Sequence, residues 1–477
     1  MLAVFGIACG RDPLAPPMPA PSPTPPPRRP NILLVLTDDL DARSIEFMPR
    51  LQALLAARGT SFSRAYVSAP LCCPSRVSIL TGQYPHNHGV HHNSNPTGGH
   101  EAFYRSGGES RTVAVWLRAA GYRTVLLGKY LNGYPQATYP EYVPPGWDEW
   151  YVPLVNATYF EYFMNVNGQQ VYRGAREEDY VTDVLGRHAL DFIDRAVTAQ
   201  DRKPFFMLLS LIAPHKPALA APRHGAALPQ AAAPRGPAFN EADIRDKPSW
   251  VQRKPLFDDE TIRLLDKLYR RRLQSMLAVD ELMERIVDKL GQTGALDDTL
   301  ILFTSDNGFQ LGEHRYAEGK GLPYEESIRM PLVVRGPGVP SGVTREHFVS
   351  NVDFTPTFLE LAGVPIPPSV DGRSITPLLG ASPPPPGEWR RDLLVEFLDE
   401  DSGEAVPYAV LRTLRWMFTE YYDRGQLADR ELYDMTADPG QLDNLWQVRP
   451  PSDLPPELPQ LMERLHAWSR CAGSACR

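Results

Sequence analysis

Aliphatic runs that alternate with helical patterns narrow the folds open to this chain more than any other feature. Asn31–Thr37 and Pro204–Ile212 are largely apolar, as expected for strands buried on both faces of a sheet. Apolar residues recur at helical spacing over 261–290. Further strands are predicted at 122–127, 299–304 and 331–334, and further helices at 48–58, 112–120 and 354–361. The alternation predicts an α/β fold, with a large, mostly parallel sheet between helices.

The chain has 477 residues, more than one ordinary hydrophobic core holds, so two domains are expected. A run of prolines within 381–390 predicts a linker between a main domain at 31–380 and a small C-terminal α+β domain at 391–477. The small domain is predicted to contain strands at 393–397, 408–413 and 415–421 and a helix at 458–468. Residues 213–260 are rich in Ala and Pro and predict a long irregular insertion.

The N-terminus combines a short apolar stretch, 1–9, with a Pro-rich linker at 10–30. It resembles the remnant of a bacterial lipoprotein signal in which Cys9 carries a lipid anchor, although the usual basic start is missing and Gly6 replaces a large aliphatic residue. The segment predicts export, as a periplasmic, cell-surface or secreted protein. Nothing later in the sequence has the roughly 20 continuous apolar residues of a transmembrane span.

The charge balance gives no general case for nucleic acid as a partner, and an anionic substrate would need a local positive pocket. The net charge is −8, which gives no general attraction to nucleic acid or to an anionic membrane surface. The basic run at 270–272 lies in a helical pattern, where it predicts a solvated face and not a binding pocket.

The two cysteines near the C-terminus, Cys471 and Cys476, are close enough in sequence to close a small loop by a disulfide. Such a bond fits an oxidising compartment. The alternative is a pair of unpaired thiols on a frayed end.

Oxygen-bearing side chains follow two of the predicted strands. Asp38 and Asp39 come directly after the first strand, and Asp306 and Asn307 follow the strand at 299–304. Strand ends in a parallel sheet meet at one edge, where ligands collect. Carboxylate and amide oxygens suit Ca²⁺ or Mg²⁺ better than zinc. Each pair by itself is more often a helix cap or a turn.

Residues 72–76 read Cys-Cys-Pro-Ser-Arg, and Leu80, Thr81 and Gly82 follow. This run resembles the Cys-x-Pro-Ser-Arg motif of the type I sulfatases. The resemblance implies an alkaline-phosphatase-like sulfatase fold. It also implies that a formylglycine-generating enzyme oxidises Cys72 to formylglycine, whose hydrated aldehyde is both the nucleophile and a metal ligand. The alternative is a buried cysteine pair at the start of a helix.

Further stretches make the chain similar to the N-acetylglucosamine-6-sulfatase branch of that family. They lie at 81–88, 128–132, 144–147, 213–215, 304–308, 331–338 and 471–477. The resemblance implies hydrolysis of the 6-O-sulfate of N-acetylglucosamine in glycosaminoglycans, with a bound calcium ion, in a catalytic domain at 31–380.

Cationic side chains are expected around a sulfuryl group, because its peripheral oxygens carry negative charge during transfer. Arg76 lies one helical turn after Cys72, and Lys129 and Lys320 follow glycines near predicted strand ends. His215 follows another strand and is the candidate acid for the leaving alcohol. Solvated lysines and a structural histidine are the ordinary alternatives.

Most sulfatases carry a histidine two residues after the lysine that corresponds to Lys129, but here that position is Leu131. The base for sulfate release is therefore open. Asn132, His86 and His88 are candidates for substrate contacts or for this role, and His314 is a weaker pocket candidate.

Three other functions remain open from the sequence. The fold and the nucleophile also suit a phosphonate or phosphodiester hydrolase, and the same chemistry suits an aryl or choline sulfatase. If Cys72 is not oxidised, the chain is a sugar-binding surface lipoprotein. A glycosylation sequon begins at Asn156 and matters only in a eukaryotic secretory pathway.

Overall fold

A computed structural model describes most of the chain, namely residues 1–4, 6, 29–94, 96–135, 139–154, 158–399 and 406–477. Cys9, most of the Pro-rich linker at 10–30 and the sequon residue Asn156 lie outside the described residues. No helix within the described part is both long and apolar enough to cross a membrane.

The strands form a large sheet followed by a small one. Those of the large sheet are β1 (Asn31–Thr37), β2 (Thr60–Tyr66), β3 (Arg123–Gly128), β4 (Glu149–Pro153), β5 (Tyr162–Val166), β6 (Gln169–Arg173), β7 (Phe205–Ser210), β8 (Thr299–Ser305), β9 (Leu332–Arg335) and β10 (Val343–Ser350). Those of the small sheet are β11 (Asp392–Phe397), β12 (Tyr408–Thr413), β13 (Trp416–Asp423) and β14 (Gln426–Asp434).

The helices range from single turns to one of more than nine turns. They are α1 (Pro49–Leu51), α2 (Cys72–Thr81), α3 (Pro85–His88), α4 (Gly99–Arg105), α5 (Val113–Ala119), α6 (Val181–Thr198), α7 (Ser249–Gln252), α8 (Asp259–Gln292), α9 (Glu325–Ile328), α10 (Phe354–Leu361), α11 (Thr376–Leu379), α12 (Pro386–Trp389), α13 (Leu445–Val448) and α14 (Leu458–Trp468). Short helical turns account for the rest of the helical structure described.

The large sheet has the order β10-β2-β9-β8-β1-β7-β3-β4-β5-β6. Its centre, from β8 to β4, is parallel throughout, and β2 pairs in parallel with β10. Strand β9 and the β5–β6 hairpin are antiparallel to their neighbours. The predicted α/β fold with a mostly parallel sheet is confirmed. The strand predicted at 331–334 is β9, whose antiparallel direction the aliphatic runs did not reveal, and the β5–β6 hairpin was not predicted.

Both faces of the sheet are covered, which explains why its central strands are apolar at most positions. Ile32, Leu34 and Leu36 of β1 pack into a core with α2, α5 and α10. Leu33 and Val35 face the opposite core, which contains residues of α6 and α8. Continuous burial of alternate side chains on two faces is the expected environment of a central parallel strand.

The small sheet, β11-β12-β13-β14, is antiparallel throughout, and α14 packs against β11 and β12. Its core includes Tyr84 and Val352 of the main domain, so the two parts share buried contacts. Residues 386–389 of the Pro-rich segment form α12, which lies against β10.

Four neighbouring parallel strands, β8, β1, β7 and β3, end at the same edge of the sheet, and the polar residues identified in the sequence follow these ends. The strands approach so closely there that a Cβ on Gly128 would lie 1.8 Å from the Ser210 carbonyl oxygen. Gly128 also has a φ of +105°, which favours glycine. The sheet therefore positions a site between its strand ends.

The C-terminal tail is pinned to the main domain. Cys471 and Cys476 form a disulfide, the Cys471 carbonyl lies 2.9 Å from His86 Nε2, and the Gly473 N–H donates to Asp371 Oδ1 at 2.6 Å. The tail therefore bridges α3 and the loop before α11.

We expect the double variant Cys471→Ser/Cys476→Ser to lower the free energy of unfolding by about 2 kcal/mol, because the unfolded tail regains the entropy that a short closed loop removes. Denaturant unfolding of the two proteins measures the difference. A reductant should lower the midpoint of the wild type and leave that of the variant unchanged. An unchanged wild-type midpoint would show that the disulfide carries no stability.

Candidate active site

Three carboxylates lie together at the carboxyl edge of the sheet. Oxygens of Asp38, Asp39 and Asp306 lie within 4.8 Å of one another, and all three residues are buried. The Asp39 N–H donates to Asp306 Oδ1 at 3.0 Å. Asp39 has a φ of +68°, a strained conformation for a non-glycine residue that is common at functional sites. The predicted meeting of the two sequence pairs is thus seen in the fold.

Cys72 is the first residue of α2 and points into this acidic cluster. Its Sγ lies 3.4 Å from Asp38 Oδ1 and 2.8 Å from Lys320 Nζ. Burial, and then the negative charge of Asp38, raise the pKa of the Cys72 thiol far above its usual range, against the opposing effect of Lys129 and Lys320. An unmodified Cys72 is therefore a protonated thiol and a weak nucleophile.

Three cations surround the carboxylates. Lys129 Nζ lies 2.5 Å from Asp38 Oδ2, Lys320 Nζ pairs with Asp39 Oδ1, and Arg76 Nε donates to Asp306 Oδ2 at 2.8 Å. Burial alone would raise the pKa of Asp38, but nearby positive charges, Lys129 foremost, hold it well below its usual range. Burial also opposes ionisation of Asp39, but Lys320 and other nearby positive charges lower its pKa. Burial, and then the negative charge of Asp38, raise the pKa of Asp306. Asp38 and Asp39 therefore favour the ionised form that binds a cation.

His215 stands at the rim of the cluster. Its Nε2 lies 3.8 Å from Asp39 Oδ2, and its ring is one-quarter exposed (25%). Its Nδ1 lies 2.7 Å from the Lys216 carbonyl, which can only accept, so Nδ1 carries the proton of that hydrogen bond. Nε2 is then the ring nitrogen that faces the cluster.

The residues present fit a hard divalent cation. Asn307 Nδ2 donates to Asp39 Oδ1 at 2.7 Å, whereas its buried Oδ1 has no hydrogen-bond partner within the described part of the chain. A buried amide oxygen without a partner, beside three carboxylates, is a ligand set for Ca²⁺ or Mg²⁺.

Arg272 belongs to the site, and the prediction of a solvated face at 270–272 is wrong for this residue. It is 2% exposed, its guanidinium donates to the Asp39 and Pro214 carbonyls, and it lies 4.0 Å above the Phe309 ring. Arg271 is exposed. Arg272 thus holds the backbone that carries Asp39 close to the backbone before His215.

Hydroxyl and amide groups that sequence reasoning missed hold α2 in place. Ser75 Oγ donates to the Asp306 carbonyl and accepts from Asn351 Nδ2 at 2.9 Å, and Ser210 Oγ accepts from Arg76 at 2.6 Å. Ser75 is part of the Cys-x-Pro-Ser-Arg motif, so its role could have been sought from the sequence. Ser210 and Asn351 carry no comparable sequence signal.

Other predicted site residues have partners away from the carboxylates. His86 binds Glu396 Oε1 at 2.8 Å and the Cys471 carbonyl, and His88 Nε2 lies 3.1 Å from Ser78 Oγ. Burial lowers the pKa of His88 to about 3, so the ring is neutral. The structure engages both rings within the protein, which does not support their assignment to substrate binding.

The remaining positions named in the sequence analysis, Asn132, Leu131 and His314, have different environments. Asn132 donates its N–H to Cys73 Sγ at 3.0 Å, beside the nucleophile position. Leu131 is buried in the core. His314 is buried, binds Glu241 Oε2 at 2.7 Å and stacks on Tyr324.

Sequence comparisons agree with this geometry. The family pattern described as Sulfatase matches residues 30–364, and the one described as N-sulphoglucosamine sulphohydrolase, C-terminal, matches residues 312–467. A Caenorhabditis elegans relative named as an extracellular sulfatase Sulf-1 homolog is 42% identical over 352 residues, 73% of this chain. The match covers 49% of that relative, so the chain spans about half of its length.

The human N-acetylglucosamine-6-sulfatase is 36% identical over 514 residues, which cover 100% of this chain and 88% of the human protein. One solved structure, a protein in complex with its substrate D-glucosamine-2-N,6-O-disulfate, superposes with a TM-score of 0.77 at 26% identity. The superposition covers 92% of this chain and 97% of the other.

We expect Arg272→Met to lower the free energy of unfolding by about 2 to 4 kcal/mol, because two buried carbonyls lose their donor while the side-chain volume is largely kept. Denaturant unfolding measures the loss. The matched control is Arg271→Met on the exposed side of the same helix, which should leave the midpoint unchanged. Equal effects of the two variants would contradict the role of Arg272.

Proposed function

The chain belongs to the sulfatase family, and we propose that it hydrolyses sulfate esters of sugars with a formylglycine formed from Cys72. One observation carries the proposal: the Cys72 side chain lies among buried carboxylates and cations at the carboxyl ends of the central strands, 2.8 Å from Lys320 Nζ. The predicted alkaline-phosphatase-like sulfatase fold is confirmed by the superposition on a solved sulfosugar-binding relative.

The proposed substrate is the 6-O-sulfate of an N-acetylglucosamine unit in a glycosaminoglycan. Support comes from the name of the human relative and from the glucosamine 6-O-sulfate group in the substrate of the solved relative. An aryl or choline sulfate and a phosphonate or phosphate diester are the competing substrates.

The residues around Cys72 suit sulfuryl transfer. One hydroxyl of the hydrated formylglycine attacks sulfur as the bond from sulfur to the sugar oxygen breaks, which leaves a sulfate ester on the residue. Loss of the proton from the second hydroxyl re-forms the aldehyde as the carbon–oxygen bond to sulfate breaks, and water then hydrates the aldehyde again. Lys320, next to the position of Cys72 Sγ, stabilises negative charge on the attacking oxygen and on the sulfate. His215 in its imidazolium form gives its Nε2 proton to the departing sugar oxygen, while Asp39 stabilises that cation.

Arg76 and Lys129 act through the carboxylates. Each holds a carboxylate that faces the nucleophile position: Lys129 holds Asp38, and Arg76 holds Asp306. Fixed charges cost no reorganisation during the reaction, which is the main benefit of a preorganised site.

We further propose that the ion is Ca²⁺, with Mg²⁺ as the alternative, held by Asp38, Asp39, Asp306, Asn307 and the oxygen that replaces Cys72 Sγ. When bound, the ion would supply a Lewis acid to polarise a sulfate oxygen. The three clustered carboxylates and the buried amide oxygen without a partner support the proposal.

Export is proposed as well, to the periplasm, the cell surface or the medium, with a formylglycine-generating enzyme as the maturation partner and a possible lipid anchor at Cys9. The Cys471–Cys476 disulfide fits an oxidising compartment, and the nematode relative is named as extracellular.

Mass spectrometry of protein from its native host tests the nucleophile. Trypsin releases the peptide 65–76, and conversion of Cys72 lowers its mass by about 18 Da. Fragmentation should place the loss on Cys72 and leave a thiol on Cys73, which is the internal control. An intact Cys72 thiol in active native protein would overturn the mechanism and favour the sugar-binding alternative.

Activity is then measured on a matched panel: N-acetylglucosamine 6-sulfate, an aryl sulfate, choline sulfate and a phosphonate ester. The sulfated sugar should give the highest kcat/KM, and Cys72→Ala should abolish its hydrolysis. A preference for the phosphonate ester would assign the chain to the competing function.

Calcium is expected to stabilise the folded protein by about 3 kcal/mol at about one hundred times its Kd, because the ion binds only the assembled site. Thermal unfolding after chelation, with and without added calcium, measures the effect. Asp306→Asn should remove the calcium-dependent shift. Asp297→Asn, an exposed change at the other end of β8, should retain it. A shift that persists in Asp306→Asn would place the ion elsewhere.

A further inference from the structure

A second cavity, of about 260 Å³, opens beside α4 and is unlike the catalytic centre in composition. Its walls are aromatic, and the residues that line it are His100, Tyr104, Tyr139, Glu141 and Tyr142. Cavities lined by aromatic rings with a few polar groups are typical ligand sites.

Two of the tyrosines present their rings to solvent. Tyr104 is 47% exposed and Tyr139 is 66% exposed, so a large part of each side chain is accessible to a ligand. Exposed aromatic rings are apolar surface whose contact with water is unfavourable, so a bound ligand that covers them gains free energy. A sugar ring can cover them with its C–H face while its hydroxyls stay hydrated.

The inner wall of the cavity is held rigidly. The buried carboxylate of Glu109 accepts hydrogen bonds from the Tyr142 hydroxyl at 2.6 Å and the Tyr130 hydroxyl at 3.0 Å, and it binds His100 Nε2 at 3.1 Å. Tyr104 packs edge-on against Tyr142, with ring centroids 5.6 Å apart. A wall fixed in this way loses little conformational entropy when a ligand binds.

The cavity is joined to the nucleophile helix by two consecutive contacts. The His100 N–H donates to the Asn132 carbonyl at 2.7 Å, and the Asn132 N–H donates to Cys73 Sγ at 3.0 Å. Cys73 is the neighbour of Cys72. The inner wall of the cavity is therefore only two hydrogen bonds away from the residue next to the nucleophile position, which places the cavity near the catalytic centre.

The charge of the cavity selects among sugar units. Glu141 lines it, Glu109 lies beneath it, and its described lining residues include neither Lys nor Arg. The catalytic centre, by contrast, contains three cations. A uronate or a second sulfate would be repelled here, whereas a neutral sugar would not.

We infer that this cavity is a subsite for a neutral sugar unit, such as galactose, beyond the N-acetylglucosamine that carries the sulfate. The inference rests on the proposed function. It directs the enzyme to oligosaccharides in which the sulfated unit alternates with a neutral hexose, in preference to those in which it alternates with a uronate.

Three substrates test the subsite by their kcat/KM: N-acetylglucosamine 6-sulfate, an oligosaccharide in which it alternates with galactose, and one in which it alternates with glucuronate. The wild type should prefer the galactose oligosaccharide. Tyr104→Ala and Tyr139→Ala should each lower kcat/KM on it by about three- to tenfold, the range of one aromatic contact, and leave the monosaccharide unchanged. Glu141→Gln should raise kcat/KM on the glucuronate oligosaccharide.

Tyr139→Phe keeps the ring and should retain activity on the galactose oligosaccharide. Tyr172→Ala removes a tyrosine of similar exposure, 55%, from β6 outside the cavity and should change nothing. Equal losses on the monosaccharide and the oligosaccharide, or no loss on either, would overturn the subsite.

Failure of the proposed function can be distinguished from failure of the subsite, because in the first case no sulfated sugar is hydrolysed at all. In that case, calorimetry tests the subsite directly. It measures the binding of an unsulfated galactose–N-acetylglucosamine oligosaccharide to the wild type and to Tyr139→Ala. Binding that the variant loses supports the subsite, and equal or absent binding overturns it.

Discussion

The structure depends on a balance of buried charge at the carboxyl ends of the central strands. The negative groups are Asp38, Asp39 and Asp306, and the positive ones are Arg76, Lys129 and Lys320. Charged groups in such a buried space are tolerable only because each carboxylate has a cation beside it. Under the proposed function, a divalent ion held by these carboxylates would add positive charge to the site, which would suit a sulfate monoester anion.

The part of this site that the sequence could reveal follows from strand geometry. Asp38 and Asp306 are far apart in the chain, but each follows an aliphatic run, and the ends of parallel strands meet at one edge. The meeting of these carboxylates could therefore be predicted from the sequence.

The antiparallel β5–β6 hairpin could not be predicted in this way, because its strands are only partly apolar and carry exposed residues such as Phe163 and Tyr172.

The burial of Arg272 could have been predicted from its helical spacing, but the run of three arginines favoured the prediction of a solvated face. Three consecutive arginines suggest a solvated face, yet Arg272 shares the buried stripe of α8 with Tyr269 and Met276, at spacings of three and four residues. The helical period therefore places one arginine of the run inward. The partners of His86 and Ser75, by contrast, come from distant segments, and no local pattern announces such contacts.

The burial of Cys72 has a consequence for how the protein becomes active. In the folded chain its side chain is fully buried and its thiol is protonated, so the unmodified protein presents neither an accessible nor a reactive nucleophile. The serine and arginine that follow it, Ser75 and Arg76, are bound to Asp306. On the proposed mechanism, the oxidising enzyme would therefore have to reach Cys72 before α2 binds the loop after β8, so that maturation would compete with folding instead of following it.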